Sequence, residues 1–416
     1  MSEAPKPNQA GERSLGVVLS RSIVALLLLQ LMGGMLLSPQ RTFFPVYARE
    51  LGHPAVLIAT WVSVRQLTGL VASLVGGTLS DAWGRKWTYL AGQIGFLLCG
   101  LVYVYPHPAW ISVLWSLSGF SSGLHTLGGQ SYLVDAALPS HLGLLSALYN
   151  WGYTLGGALS SPIAGYLLDH WNYRVFGLSL VVFALATIAV NLFALPRTPH
   201  RTERKATSWR SLFGYREIAV RPAVVVLTLM RFLPTFAYGM AGVLIPLLLD
   251  SAGATKTTIA LYATISQVVA AAAQLVSGRA ADRARQVRGH VRGPTLVVMA
   301  LFVAGVFGLA ATPSRVPGLF VFGTLAIAAA WSLSTLLPLW VARVTPSPER
   351  GRVLGWIHLW WNAAMMAGAM VGGAMVERWP GAPFVIAGVL NLGTIGLAMV
   401  FFDRNGSASP RVAGDS

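Results

Sequence analysis

Three arginines lie inside long apolar stretches of this 416-residue chain: Arg41, Arg65 and Arg231. An ionisable group in such surroundings is costly and is usually kept for function. Every Asp and Glu falls in a tail, a loop or the end of an apolar stretch, so no carboxylate is placed to neutralise them mid-stretch. Arginine forks grip carboxylate or phosphate, so unmatched arginines point to an anionic partner. Each also has a plainer reading. Arg41 can anchor at an interface, and Arg65 can bond to carbonyls. Arg231 is the strongest binding candidate. His125 lies near the middle of its stretch and can carry protons, because an imidazole titrates near pH 6.5; a structural histidine fits the same position. His358, among Trp356, Trp360 and Trp361, reads as packing, and Asn150 and Asn362 read as bonds between helices.

Other chemistry finds no support. There is no HExxH and no phosphate-binding loop, so neither a metalloenzyme nor an ATP-driven pump is indicated. The single cysteine, Cys99, allows no internal disulfide and no cysteine-based metal site. No metal and no cofactor is expected. The net charge of +16 could suggest nucleic acid, but its distribution argues for membrane orientation instead.

These residues must be held by membrane helices. The chain is 55% hydrophobic and only 11% charged, where a soluble domain carries roughly 25% charged residues. Its apolar blocks run to about 20 residues, the length that crosses a bilayer core. Twelve spans are expected, giving an all-α membrane protein of two six-helix bundles. The first bundle, 1–195, includes a short tail. A basic linker covers 196–221, the second bundle 222–402 and a tail 403–416. Trp209, Leu212, Phe213 and Ile218 suggest that the linker lies on the membrane surface as a helix. With the amino terminus in the cytoplasm, about 22 basic residues fall inside and 5 outside. That bias predicts cytoplasmic termini in a bacterial-type inner (plasma) membrane.

The two halves repeat each other. GGTLSDAWGRK, from Gly76, follows the second span, and SGRAADRARQVR, from Ser277, follows the eighth. GLLSALYNWGYTLGG, from Gly143, aligns with GWIHLWWNAAMMAGA, from Gly355, pairing Asn150 with Asn362 and Gly156 with Gly368. A parallel six-span repeat is one known plan for a transporter. An aspartate at a helix end, then a glycine turn and two basic residues, can form an ion-pair latch between helices. Asp135 is its expected neighbour. The alternative is a loop anchor that only fixes topology.

With these motifs, the chain resembles major facilitator superfamily transporters over nearly its whole length. The family's signature loop is matched by Gly77, Asp81, Gly84, Arg85 and Lys86, with Ala82 departing from it. The second copy keeps Gly278, Asp282 and Arg283. A helix-bending pattern associated with antiporters is matched in part by Gly157, Pro162 and Gly165. The resemblance implies that spans one, four, seven and ten line a cavity, which would expose Gln30, Arg41, His125, Tyr132, Arg231, Tyr238 and Trp331. It further implies alternating access, with a small-molecule substrate and protons as the coupling ion, in a monomer embedded in lipid bilayer. Proton-coupled efflux of an organic solute is the first reading. Uptake or exchange of an organic anion through the arginines is the second, and a receptor or membrane-embedded enzyme is a remoter third.

Overall fold

The computed structural model describes residues 20–138, 141–197, 216–288, 290–346 and 349–406. Within these, the side chains at 77, 78, 81, 143, 216, 288, 351 and 403–406 lie outside the description. Gly77, the Asp81 side chain and most of the expected linker helix are therefore not covered. Only its last turn, Arg216–Ala219, is described.

Twelve long helices follow one another among the described residues, with no strand. They are α1 (Arg21–Glu50), α2 (Ala55–Trp83), α3 (Arg85–Val104), α4 (Pro108–Ala136), α5 (Leu142–His170) and α6 (Tyr173–Ala194) in the first half. The second half has α7 (Pro222–Ser251), α8 (Lys256–Arg288), α9 (Arg292–Ala311), α10 (Val316–Val344), α11 (Arg350–Met375) and α12 (Ala382–Gly406). Nine are long and apolar enough to cross a membrane. The other three, α4, α5 and α11, are diluted by Gly, Ser, His, Asn and Trp. Small residues of this kind let membrane helices approach closely. The segment from Ser277 was expected to be a loop, but α8 runs through it to Arg288. Its Ala and Arg residues favour helix, and a hydropathy window cannot see a polar helical extension.

Two compact units emerge. One comprises residues 1–47 and 64–206, and the other 48–63 and 207–416. The division thus departs from the expected halves at one segment, the α1–α2 turn. Arg49 pairs with Glu377 at 2.6 Å, Glu50 with Lys256 at 2.5 Å, and the Ala55 N–H donates to Glu377 at 2.9 Å. Ser63 donates to the Met366 carbonyl at 3.2 Å. These bonds place 48–63 with the second unit.

Inside each unit the repeat takes the same form. Helix α1 closes on α5 where a Cβ on Gly156 would come within 2.0 Å of the Leu31 carbonyl oxygen. Helix α7 closes on α11 where a Cβ on Gly368 would come within 1.9 Å of the Phe236 oxygen. The partner helices return the contact: Gly34 faces Tyr153, and Gly239 faces Met365. The turns that follow α1 and α7 also match. Gly52 (φ +84°) and Gly253 (φ +81°) each sit left-handed, and the next N–H bonds five residues back, His53 to Ala48 and Ala254 to Leu249.

Candidate functional site

In the second unit, Pro234 lies inside α7, three residues after Arg231. Proline removes a backbone bond and bends a helix. Arg231 is half-buried on this stretch of α7 and forms no ion pair among the described residues. It lines a shallow recess with Pro234, Thr235, Tyr238, Ala330, Trp331, Ser334 and Trp361. Tyr238 and Trp331 meet edge to face, 6.2 Å between centroids. Trp361 stacks flat on His358 at 5.2 Å, and His358 lies within electrostatic range of Arg231. A second, apolar recess lies beside Val225, Leu229, Phe232, Trp356 and Trp360. Phe232 packs edge to face on Trp360 there. The ensemble offers one fixed cation, one imidazole and several aromatic faces, an arrangement suited to an organic anion with apolar parts.

Three of the expected binding residues, Arg231, Tyr238 and Trp331, thus share one recess. The others lie elsewhere, in the first unit. Arg41 is exposed on α1. Arg65 is buried between α2 and α4, its Nε donating to Ser118 Oγ at 3.1 Å. His125 is only 2% exposed and is clasped by Tyr89 at 4.6 Å and Phe96 at 4.9 Å; a Cβ on Gly92 would strike its backbone. Gln30 is buried, with its carbonyl oxygen unbonded. The Tyr132 hydroxyl donates to the Pro196 carbonyl at 2.9 Å and so ties α4 to the end of α6. Trp361 lines the recess, and His358, which read as packing in the sequence, stacks on it from the same helix. Their spacing from Asn362 on one helix was visible, but the approach of α11 to α7 was not.

The signature loop folds as a turn made by Gly84, whose φ of +86° suits glycine. Arg85 then reaches Asp135 on α4 at 2.9 Å and Ser80 on α2 at 2.7 Å, while Lys86 donates to the Leu192 carbonyl on α6. Three helices are pinned by two cations. In the second copy, Gly278 faces only the Thr335 methyl group, and Asp282 and Arg283 are exposed with no ion pair among the described residues. The equivalent end of the second unit is held instead by Arg221, which forks onto Glu349, and by Arg350, which donates to the Thr345 and Ala342 carbonyls. Arg221 holds the Glu349 carboxyl below the usual carboxylate range.

On α5, Pro162 removes a backbone donor, and Ser161 donates its hydroxyl to the Gly157 carbonyl at 2.8 Å. Ser161 also meets Ser38 of α1 at 3.2 Å. Gly165 is buried one turn on. The pattern here supports a bend packed against α1.

Known proteins agree with this architecture. The sequence profile of the Major Facilitator Superfamily matches residues 26–235 and 227–415. The enterobactin exporter EntS of Shigella boydii is 28% identical over 354 residues, 80% of this chain and 79% of that protein. Facilitated glucose transporter member 10 of Xenopus tropicalis is 28% identical over 174 residues, 38% of this chain and 31% of that one. Among solved structures, the nucleoside transporter NupG superposes with a TM-score of 0.72 at 14% identity, covering 93% of this chain and all of that one. A bacterial homologue of the human lysosomal transporter Spinster, inward-facing and occupied, gives 0.70 at 13%, covering 98% and 100%. A matching family profile across both halves, on a twelve-helix fold shared with such transporters, makes this multi-pass membrane protein a member of the major facilitator superfamily and not an enzyme.

Proposed function

We propose that the chain exports a small organic anion, with protons as the exchanged ion. The observation that carries the reading is Arg231: a half-buried cation with no acid partner among the described residues, facing aromatic walls. A guanidinium so placed favours a carboxylate or phosphate and disfavours a cation. The outward direction rests on the similarity to the enterobactin exporters. Proton exchange needs a titratable group near the substrate, and His358, in the same wall as Trp361, is in position to serve. The sorting of basic residues favours a bacterial-type inner membrane with both termini cytoplasmic. Asp81 and the Arg85–Asp135 pair act in this reading as a latch between conformers.

A thermal-shift screen of the detergent-purified protein tests the substrate class. The panel contains organic anions, sugar phosphates, neutral metabolites and lipophilic cations. A ligand that binds the folded state raises its melting temperature. Anions should do so, and Arg231→Ala should remove the effect while Arg231→Lys keeps part of it. Stabilisation by lipophilic cations, unchanged in Arg231→Ala, would overturn the reading.

A further inference from the structure

A second arginine, away from the Arg231 recess, is held in a way that its surroundings do not satisfy. Arg65 is 8% exposed and forms no ion pair among the described residues. Its Nε bonds to Ser118 Oγ, and Ser118 spends its own proton on the Trp115 carbonyl at 2.7 Å. The guanidinium carbon lies 4.8 Å above the Trp115 ring. Its Nη2 has no hydrogen-bond partner within bonding distance among the described residues.

Two further buried donors of the first unit are also unmatched among the described residues, the indole N–H of Trp115 and the amide N–H of Gln40, whose Oε1 is unmatched as well. Phe44 stacks on Trp115 at 3.8 Å, and Gln40 lies one turn from Phe44 along α1. The Tyr103 hydroxyl fixes that turn by donating to the Gln40 carbonyl at 2.9 Å. Gln40, Arg65 and Ser118 each sit about ten residues from the helix ends Glu50, Ala55 and Pro108, so all three share a depth of roughly 15 Å. Close packing keeps them there: a Cβ on Gly119 would strike the Arg65 carbonyl at 2.2 Å.

A buried guanidinium without an acid, beside two unmatched N–H donors, is a costly arrangement for the protein alone. Arg41 adds a second positive charge within electrostatic range. Arg65 Nη2, the Trp115 indole and the Gln40 amide N–H each lack an acceptor among the described residues. Gln40 is fully buried and Trp115 is 2% exposed, so a large organic anion is a poor fit. We propose that the first unit binds a small inorganic anion, chloride under cellular conditions, held by Arg65, Trp115 and Gln40 as a structural counter-ion. The internal rival is Cys99, fully buried and within reach of the same guanidinium, whose thiolate could serve as the counter-charge.

The test is melting of the purified full chain in sodium gluconate, with chloride or bromide replacing gluconate at constant ionic strength. Wild type should show a saturable rise of a few degrees with either halide. Arg65→Gln should melt at one temperature in all the salts. Should that variant fail to fold, Trp115→Phe keeps the ring beneath the guanidinium but removes a donor, and should shift half-saturation several-fold toward higher halide. Anomalous scattering from a bromide-soaked crystal should place one ion beside Arg65. Arg231→Ala should retain the halide response; loss of the response there would move the ion to the other recess and overturn the proposal. So would halide indifference of the wild type, or a response abolished by Cys99→Ala.

Discussion

Gly368 has no room for one methyl group, and that fact is testable at the level of a single atom. Its Cβ would lie 1.9 Å from the Phe236 carbonyl oxygen, a backbone atom that cannot swing aside. Gly242, on the same helix as Phe236, would meet nothing within 4 Å. Gly368→Ala should therefore lower the melting temperature and the yield of folded protein, with overpacking costing about 1–3 kcal/mol. Gly242→Ala should be neutral or mildly stabilising, since alanine favours helix by up to about 1 kcal/mol. Equal melting of the two variants would show that α7 and α11 can part at no cost. Gly156→Ala should repeat the Gly368 result in the first unit, where the Leu31 oxygen plays the same part.

Among the elements, the turn between α2 and α3 joins three helices through few atoms. The Arg85 side chain is 10% exposed and that of Asp135 is 17% exposed. Removing Asp135 takes a charged acceptor from this enclosed guanidinium, at a cost of about 1–3 kcal/mol. Asp135→Ala should thus melt below the wild type, and Asp135→Glu should recover part of the loss. A wild-type melting curve for Asp135→Ala would show that the other partners of Arg85 satisfy it. Much of this was legible in the sequence. GGTLSDAWGRK named Arg85 and Gly84, and the end of span four named Asp135, because ion pairs at helix ends leave local signatures. Helix positions were legible for the same reason, as apolar length is a local property. The Arg231 recess was only half legible. Arg231, Tyr238 and Trp331 stand out as polar or aromatic residues on two spans, but Trp361 and His358 join them through the approach of α11, which periodicity does not encode. For His125 the sequence left two readings open, a proton carrier and a structural histidine; the rings of Tyr89 and Phe96 that clasp it come from another helix and leave no local signature.

On the scale of the whole molecule, the charges at the α1–α2 turn make stability depend on pH. The N–H of Ala55, and then Arg49, hold the Glu377 carboxyl below the usual carboxylate range. A depressed carboxylate stabilises the folded state above its unfolded pKa, near 4.3, and loses that contribution as pH falls through the folded value. Glu377→Gln should therefore melt lower than the wild type at pH 7, and the two should converge at pH below about 4. The gap should be small, since exposed pairs are worth about 0.2–1 kcal/mol. A gap that widens in acid would reverse the assignment.

The same turn also has a history in time. Arg49 and Glu50 leave the ribosome early, yet their partners are Lys256 and Glu377. Synthesis at about 5–20 residues per second separates Glu50 from Glu377 by roughly 15–65 seconds. Through that interval the six helices of the first half can pack by themselves, while their first turn remains unfinished. The last bond of the amino-terminal half is thus made by the end of the chain, and a ribosome that stalls before α11 leaves a product whose earliest hairpin was never closed.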